Sequence, residues 1–145
     1  MKALIQRVKH ARVEVDEQTI GDIGPGMLVL VGIDAHDTDN SVDKLSDRLL
    51  KYRLFADEDG RMNRNVVDAG GEVLLVSQFT LSADTQKGLR PGFSTAATPE
   101  EGQRLFERVV ERVQSQHPRV ATGKFGADMQ VTLQNDGPVT FLLEN

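Results

Sequence analysis

The chain has 145 residues, 39% of them hydrophobic and 27% charged, with a formal net charge of -5 at pH 7. That length suits a single domain, residues 1–145, with enough apolar material for its own core, and the acidic balance argues against coating nucleic acid through a broad basic surface. Cysteine is absent, which removes disulfides, thiolate metal ligands and a cysteine nucleophile, and no apolar run approaches the roughly 20 residues needed to span a bilayer.

The opening MKALIQRVKH lacks the apolar stretch of a signal peptide and reads as a strand over residues 2–9, so the default location is cytoplasmic. Val13 and Val15 continue the alternation, Asp16 to Thr19 reads as a turn, and Ile20 and Ile23 resume the pattern. Gly24-Pro25-Gly26 is a strong turn signal before the buried-strand run MLVLVGI. Residues 41–54 place Val42, Leu45, Leu49 and Tyr52 at helical spacing, with Ser41 or a neighbouring Asx residue as cap. A short hairpin follows around Asp59-Gly60, and the apolar strand Val73 to Val76 runs directly into Ser77-Gln78-Phe79-Thr80.

The loop over residues 82–97 has no periodicity, and loops of such length inside a compact domain are often functional. A second helix carries clear start signals: Thr98 as cap, Pro99 at the first position and Glu101 to complete a capping box. Its apolar stripe is Leu105, Phe106, Val109, Val110 and Val113, and Pro118 stops it. Two strands, 128–135 and 138–144, close the chain about a hairpin at Asn135-Asp136-Gly137. This order predicts an α+β fold: mixed, largely antiparallel sheets forming a barrel-like layer with two packed helices.

The chemistry is sparse. His10, His36 and His117 lie far apart and in no metal-binding spacing, and no nucleophile elbow or phosphate loop is present. No metal or other cofactor is therefore expected. Two basic islands stand out, one at Lys2, Arg7, Lys9 and Arg12, the other at Lys87 and Arg90; each is either an anion-binding patch or part of a mixed surface. Ser77 and Thr80 at the end of a buried strand are polar where burial is costly. Either they satisfy neighbouring backbone, or the strand end opens into a pocket of backbone N–H donors.

Two segments carry a family resemblance. Ser77-Gln78-Phe79-Thr80-Leu81, together with Asn135-Asp136-Gly137-Pro138-Val139-Thr140, resembles the signature pair of the D-aminoacyl-tRNA deacylases. ALIQRV, GPGMLVLVGI, RMNRNV, GGEVLLVSQFTL, RPGFS and FGADMQV follow in the family's order across essentially the whole chain. The resemblance implies a cytoplasmic homodimeric hydrolase whose active sites lie at the subunit interface. It would cleave the ester between a D-amino acid and the 3′-terminal adenosine of tRNA, with mischarged glycyl-tRNA as a further substrate, and reject L-esters through a Gly-cisPro motif donated by the partner subunit.

Carried over residue by residue, Ser77, Gln78, Phe79 and Thr80 form the catalytic pocket, and Gly137 and Pro138 contact the amino acid. Arg7 braces that motif, Phe125 and Met129 line the pocket, and Lys87 and Arg90 meet tRNA phosphates. Gly137 is expected to be glycine because a Cβ would intrude on the pocket. Thr80 has no base near it in sequence, so the favoured chemistry uses backbone N–H groups and the ribose 2′-OH. Gly92, where the family often has Ser, Ser82, where it often has Tyr or Ala, and the turn at Asp16-Glu17-Gln18, which lacks a common Gly, depart from the pattern. A non-catalytic module that holds an amino acid or an RNA end, and an esterase with Thr80 as nucleophile, are the alternatives.

Overall fold

The first strand, β1 (Lys2–Val15), organises the molecule. The computed structural model describes residues 1–145. A strand has two edges, and β8 (Gln130–Glu144) occupies one edge of β1 from Lys2 to Glu14. The other edge is shared: β3 (Gly26–Gly32) pairs with residues 2–8 and β2 (Gln18–Ile23) with residues 11–15, all antiparallel. From β3 the sheet continues in parallel through β6 (Glu72–Ser77) to β7 (Val120–Thr122). A Cβ built on Gly21 of β2 would lie 2.8 Å from the Thr122 carbonyl oxygen of β7. Glycine there lets the two ends of the curled sheet approach, and the sheet nearly closes into a barrel. A separate small hairpin joins β4 (Phe55–Ala56) and β5 (Met62–Arg64), turning at Gly60 with φ 77°. The α+β class with a mixed, barrel-like sheet and two helices is as expected; β7 is a strand the sequence reading lacked.

The helices α1 (Asp39–Lys51) and α2 (Pro99–Gln116) lie side by side on one face of the sheet. Val42, Leu45, Leu49, Leu105, Phe106, Val109 and Val113 meet Ala3, Ile5, Val29, Val31, Val73 and Leu75 in the main core. The alternate residues Leu28, Leu74 and Val76 point the other way and join Val8, Ala11, Val13 and Ile23 in a second cluster. Strands β3 and β6 are apolar on both sides because both sides are covered. On the solvent side Arg104 and Arg112 of α2 pair with Asp39 and with Asp43 and Asp47 of α1, exposed contacts that solvent screens and that add little to stability. The Arg104 guanidinium holds the carboxyls of Asp39 and Glu101 below their ordinary range.

Local details differ from expectation. α1 starts at Asp39 with Thr38 as N-cap; Ser41 lies inside, its Oγ accepting from the Thr38 amide at 3.2 Å. The helix ends at Lys51, so Tyr52 is extended and its ring packs 5.4 Å from that of Phe141. In α2 the Thr98 hydroxyl accepts from the Glu101 amide at 3.4 Å, but the Glu101 carboxylate turns to Arg104 at 2.6 Å and leaves the capping box half made. The terminal hairpin does not exist. β8 is one strand of 15 residues paired along β1, and the turn-like residues Asp136 to Val139 form a bulge within it. Long-range pairing with β1 outweighs the local turn signal. No helix is long and apolar enough to cross a membrane.

The β1–β2 turn contains only Asp16 and Glu17, at φ 49° and 64°. Left-handed backbone costs a non-glycine residue about 1–2 kcal/mol, part of which glycine recovers in such two-residue turns. Glu17→Gly is therefore expected to raise unfolding stability by about 0.5–1 kcal/mol in urea titrations; a loss of stability would contradict this account of the turn.

Candidate active site

The C-terminal end of β6 opens into a cleft of about 430 Å³. Ser77, Gln78 and Phe79 form one wall, Val31 and Ile33 the floor, Ala97 to Pro99 and Gly102 another wall, and Phe125 to Met129 the opposite side. Strand β6 ends at Ser77, and one more bond to β3 follows it. The Gln78 amide donates to the Val31 carbonyl at 2.7 Å, and the chain then winds into a 3-10 turn, Phe79–Ser82. Within that turn Leu81 donates to the Gln78 carbonyl and Ala83 to that of Thr80, each at 3.2 Å. The Phe79 and Thr80 amides donate to no turn or loop carbonyl, the usual state of the first amides of a helical turn. Phe79 is 58% exposed and its ring packs 5.1 Å from that of Phe93 in the following loop.

The cleft brings Ser77, Gln78, Phe79, Phe125 and Met129 together. Thr80 sits just outside the lining, exposed, its hydroxyl accepting from Gln78 Nε2. Lining residues carry one titratable side chain, Asp128, and no histidine. No group of three or more acidic or histidine side chains is placed to hold a metal ion. Lys87 and Arg90 are exposed in the loop after the 3-10 turn, next to the fully exposed Leu89.

Gly137 and Pro138 lie elsewhere on the chain's surface. The ladder between β1 and β8 pairs Gln6 with Thr140 and Val8 with Asn135, so Asp136, Gly137, Pro138 and Val139 stand opposite Arg7 alone. Proline costs no ladder bond in such a bulge. The Gly137–Pro138 peptide is cis. Asn135 closes the bulge from its base: the Val139 amide donates to its Oδ1 at 2.7 Å, and its Nδ2 donates to the Val139 carbonyl at 3.2 Å. Arg7 Nε donates to the Asp136 carbonyl at 2.9 Å, and its Nη1 to the Leu54 carbonyl at 2.9 Å, which ties the bulge to the segment between α1 and β4. The Gly137 and Pro138 carbonyls accept from no side chain and from no turn or loop amide. The expected reason for Gly137 needs correction. A Cβ there would lie 2.6 Å from the Val139 nitrogen and 2.7 Å from Val139 Cγ2, so it meets its own strand before it meets any pocket.

The sequence reading missed Val31, Ile33, Ala97 and Gly102 as cleft walls, and Asn135 as the clasp of the bulge. Gly102 had a signal: a glycine in the first turns of a well-capped helix asks for a packing reason. Phe125 is the neighbour, its Cζ 3.4 Å from a Cβ built at Gly102, an ordinary contact that an added methyl would make at the cleft wall.

A family model described as D-Tyr-tRNA(Tyr) deacylase matches residues 4–144. The D-aminoacyl-tRNA deacylase of Marinomonas sp. (strain MWYL1) is 61% identical over 144 residues, covering 99% of this chain and 100% of that protein. The D-aminoacyl-tRNA deacylase of Stutzerimonas stutzeri (strain A1501) is 59% identical over 145 residues, covering 100% of both. Among solved structures, a c-Myc DNA Unwinding Element Binding Protein superposes with a TM-score of 0.96 at 40% identity, covering 100% of this chain and 99% of that one. A probable eukaryotic D-amino acid tRNA deacylase has a TM-score of 0.87 at 16% identity, covering 98% and 97%, which is a likeness of fold.

Two substitutions separate the roles of the glycines. Gly102→Ala meets only ordinary contact and gains helix propensity, so stability is expected to hold or rise by up to about 1 kcal/mol while the cleft narrows. Gly137→Ala is expected to cost about 1–3 kcal/mol through the collision with Val139. Calorimetry on both variants checks the pair; equal stability changes would contradict the packing argument.

Proposed function

The chain belongs to the D-Tyr-tRNA(Tyr) deacylase family, and from that membership we propose that it is a D-aminoacyl-tRNA deacylase whose reaction is run by main-chain groups. The full-length match to relatives bearing that name supports the activity. The observation that carries the mechanism is a cleft beside a 3-10 turn whose Phe79 and Thr80 amides donate to no turn or loop carbonyl, with a single carboxylate and no imidazole in its walls.

The substrate is an ester of the 3′-terminal adenosine of tRNA. The apolar walls Val31, Ile33, Phe125 and Met129 suit a flat base, and the ester carbonyl then lies against the 3-10 turn. Water attacks the carbonyl carbon, and a carbon–oxygen bond forms. The Phe79 and Thr80 amides stabilise the oxyanion, an interaction that typically contributes about 10²–10³ in rate per donor. The bond to the ribose 3′-oxygen breaks, and that oxygen takes the proton given up by the water, relayed by the neighbouring 2′-OH. Free D-amino acid and tRNA leave. An aminoacyl ester is intrinsically labile, so orientation and carbonyl polarisation suffice. Thr80 is an acceptor for Gln78 and has no base to activate it, which argues against a threonine nucleophile.

Chirality is read by the exposed Gly137-Pro138 bulge of a second copy in a homodimer. Its Gly137 and Pro138 carbonyls hold the α-ammonium, and with ammonium and ester both fixed only one direction remains for the side chain. A D-residue points outward, an L-residue strikes backbone, and rejection by collision admits many D side chains. Glycyl-tRNA, with no side chain to reject, is a further substrate. The outer face of the β1–β8 pair, where Leu4 faces Leu142, supplies apolar surface for self-association, with Leu142 51% exposed. Lys87 and Arg90 take tRNA phosphates from the loop beside the cleft, and the setting is the cytoplasm, where charged tRNA is used.

Purified protein incubated with D-Tyr-tRNA and L-Tyr-tRNA tests the proposal. The D-ester is expected to be hydrolysed at least about 100-fold faster. Equal rates would remove the chiral reading, and retention of the D-ester without hydrolysis would favour a binding module. Thr80→Ala is expected to keep kcat within about tenfold; a loss of about 10³ or more with binding intact would make Thr80 the nucleophile.

A further inference from the structure

Beneath the 3-10 turn lies a buried cluster of charges that the hydrolysis does not use directly. Asp34 and Asp37 are 7% and 6% exposed. The Met1 ammonium donates to Asp37 Oδ1 at 2.7 Å and to Asp34 Oδ2 at 3.2 Å, and the Asp34 amide donates to Asp37 Oδ2 at 2.7 Å. Lys2 Nζ stands 3.6 Å from Asp34 Oδ1 and donates to the Leu81 carbonyl at 3.2 Å. The cluster therefore reaches the turn directly.

Two further contacts point the same way. Asp34 Oδ1 and Ser82 Oγ are both buried and neither has a hydrogen-bond partner. Burial pushes that carboxyl's pKa up, but the Ser82 hydroxyl, the Met1 ammonium and Lys2 together bring it below the ordinary 3.8. A buried polar atom left alone is costly, and a rotation of the Ser82 hydroxyl towards Oδ1 would satisfy both. Gly32 completes the seat. A Cβ there would lie 2.8 Å from Leu81 Cβ and 3.2 Å from the Gln78 carbonyl oxygen, so the turn rests flush on bare backbone. On the far side the Thr95 hydroxyl donates to the Ser82 carbonyl, and Ala35 donates to the Thr95 carbonyl at 2.9 Å. Residues 33–35 thus hold the 3-10 turn and the segment leading into α2, two walls of the same cleft.

We propose that Asp34 is a positioning residue for the hydrolysis: from beneath, with Lys2 and Gly32, it fixes the 3-10 turn so that the Phe79 and Thr80 amides face the ester. This rests on the reading of the site given above. Asp34 touches no reacting atom. Its carboxylate collects the Lys2 and Met1 ammonium groups at one point, and the turn is tied to that point through the Lys2 bond to the Leu81 carbonyl. A site whose donors are amides has no rotamer freedom with which to recover from a shifted backbone, so small displacements reach the rate directly.

The test compares Asp34→Asn and Lys2→Met with wild-type protein by amide hydrogen exchange and by steady-state kinetics on D-Tyr-tRNA. Exchange is expected to speed up at least about tenfold at the Gln78, Leu81 and Ala83 amides while Val73 to Val76 stay protected. In the same variants kcat is expected to fall at least about tenfold with KM changed less than about threefold. Unchanged exchange and kcat in a folded variant would overturn the proposal. So would a kcat loss matched by faster exchange at Val73 to Val76, because that is general loosening. Lys2 is partly exposed, so Lys2→Met keeps the test open if Asp34→Asn does not fold. A wild-type protein that leaves the D-ester intact removes the functional reading, and the exchange data still decide whether Asp34 seats the turn.

Discussion

β1 and β8 pair antiparallel almost end to end, and the ladder slips twice, on either side of Val8. The first slip concentrates four residues of β8 opposite Arg7 of β1 and leaves Gly137 and Pro138 exposed, and the second leaves Lys9 of β1 without an opposite residue. A bulge in an otherwise continuous pair is held at both ends by regular hydrogen bonds, so it is far stiffer than a loop of equal length. Asn135 and Arg7 then occupy the Asp136 carbonyl and both polar groups of Val139, at the two ends of the bulge. The same strand β1 pairs with β3, whose end seats the 3-10 turn. Both halves of the proposed site therefore hang from one strand.

Sites made of main chain carry a particular physical requirement. An amide or carbonyl cannot swing into place, so its position is only as good as the packing beneath it. Here the packing is unusually rich in glycine and charge. Gly32 removes the side chain that would lift the turn, and Gly21 lets the barrel nearly close. Asp34, Asp37, Lys2 and the Met1 ammonium form a mutually neutralising cluster, which is how buried charge becomes tolerable. The proposed discrimination between mirror-image esters follows from rigidity on both sides of the substrate, with no reactive side chain required.

Much of the fold is legible in local sequence. α2 is written in three closely spaced cues, Thr98, Pro99 and Glu101, and the sequence reading starts it where the structure does. β3 and β6 are plain from their apolar runs. The bulge was misread as a hairpin because Asn-Asp-Gly-Pro is turn chemistry, and only the pairing partner, more than 120 residues away, distinguishes a turn from a bulge. The three residues of β7 are too few for any periodicity. At the site, the SQFT segment and the Gly-Pro motif are visible as patterns, but their separation within one chain is not. Nor is the Asp34 cluster, whose members are brought together by folding across more than 30 positions.

The central claim is that the 3-10 turn of one copy and the Gly137-Pro138 bulge of another make one site. Subunit mixing tests it most directly. One variant carries Phe79→Pro, which deletes an amide donor at a position where helical turns accept proline; the other lacks Gly137 and Pro138. Each alone should leave D-Tyr-tRNA uncleaved. Unfolded and refolded together in equal amounts, they should regain about a quarter of wild-type activity, because half the dimers are mixed and each of those restores one of its two sites. Activity that stays at zero in demonstrably mixed dimers would contradict a shared site.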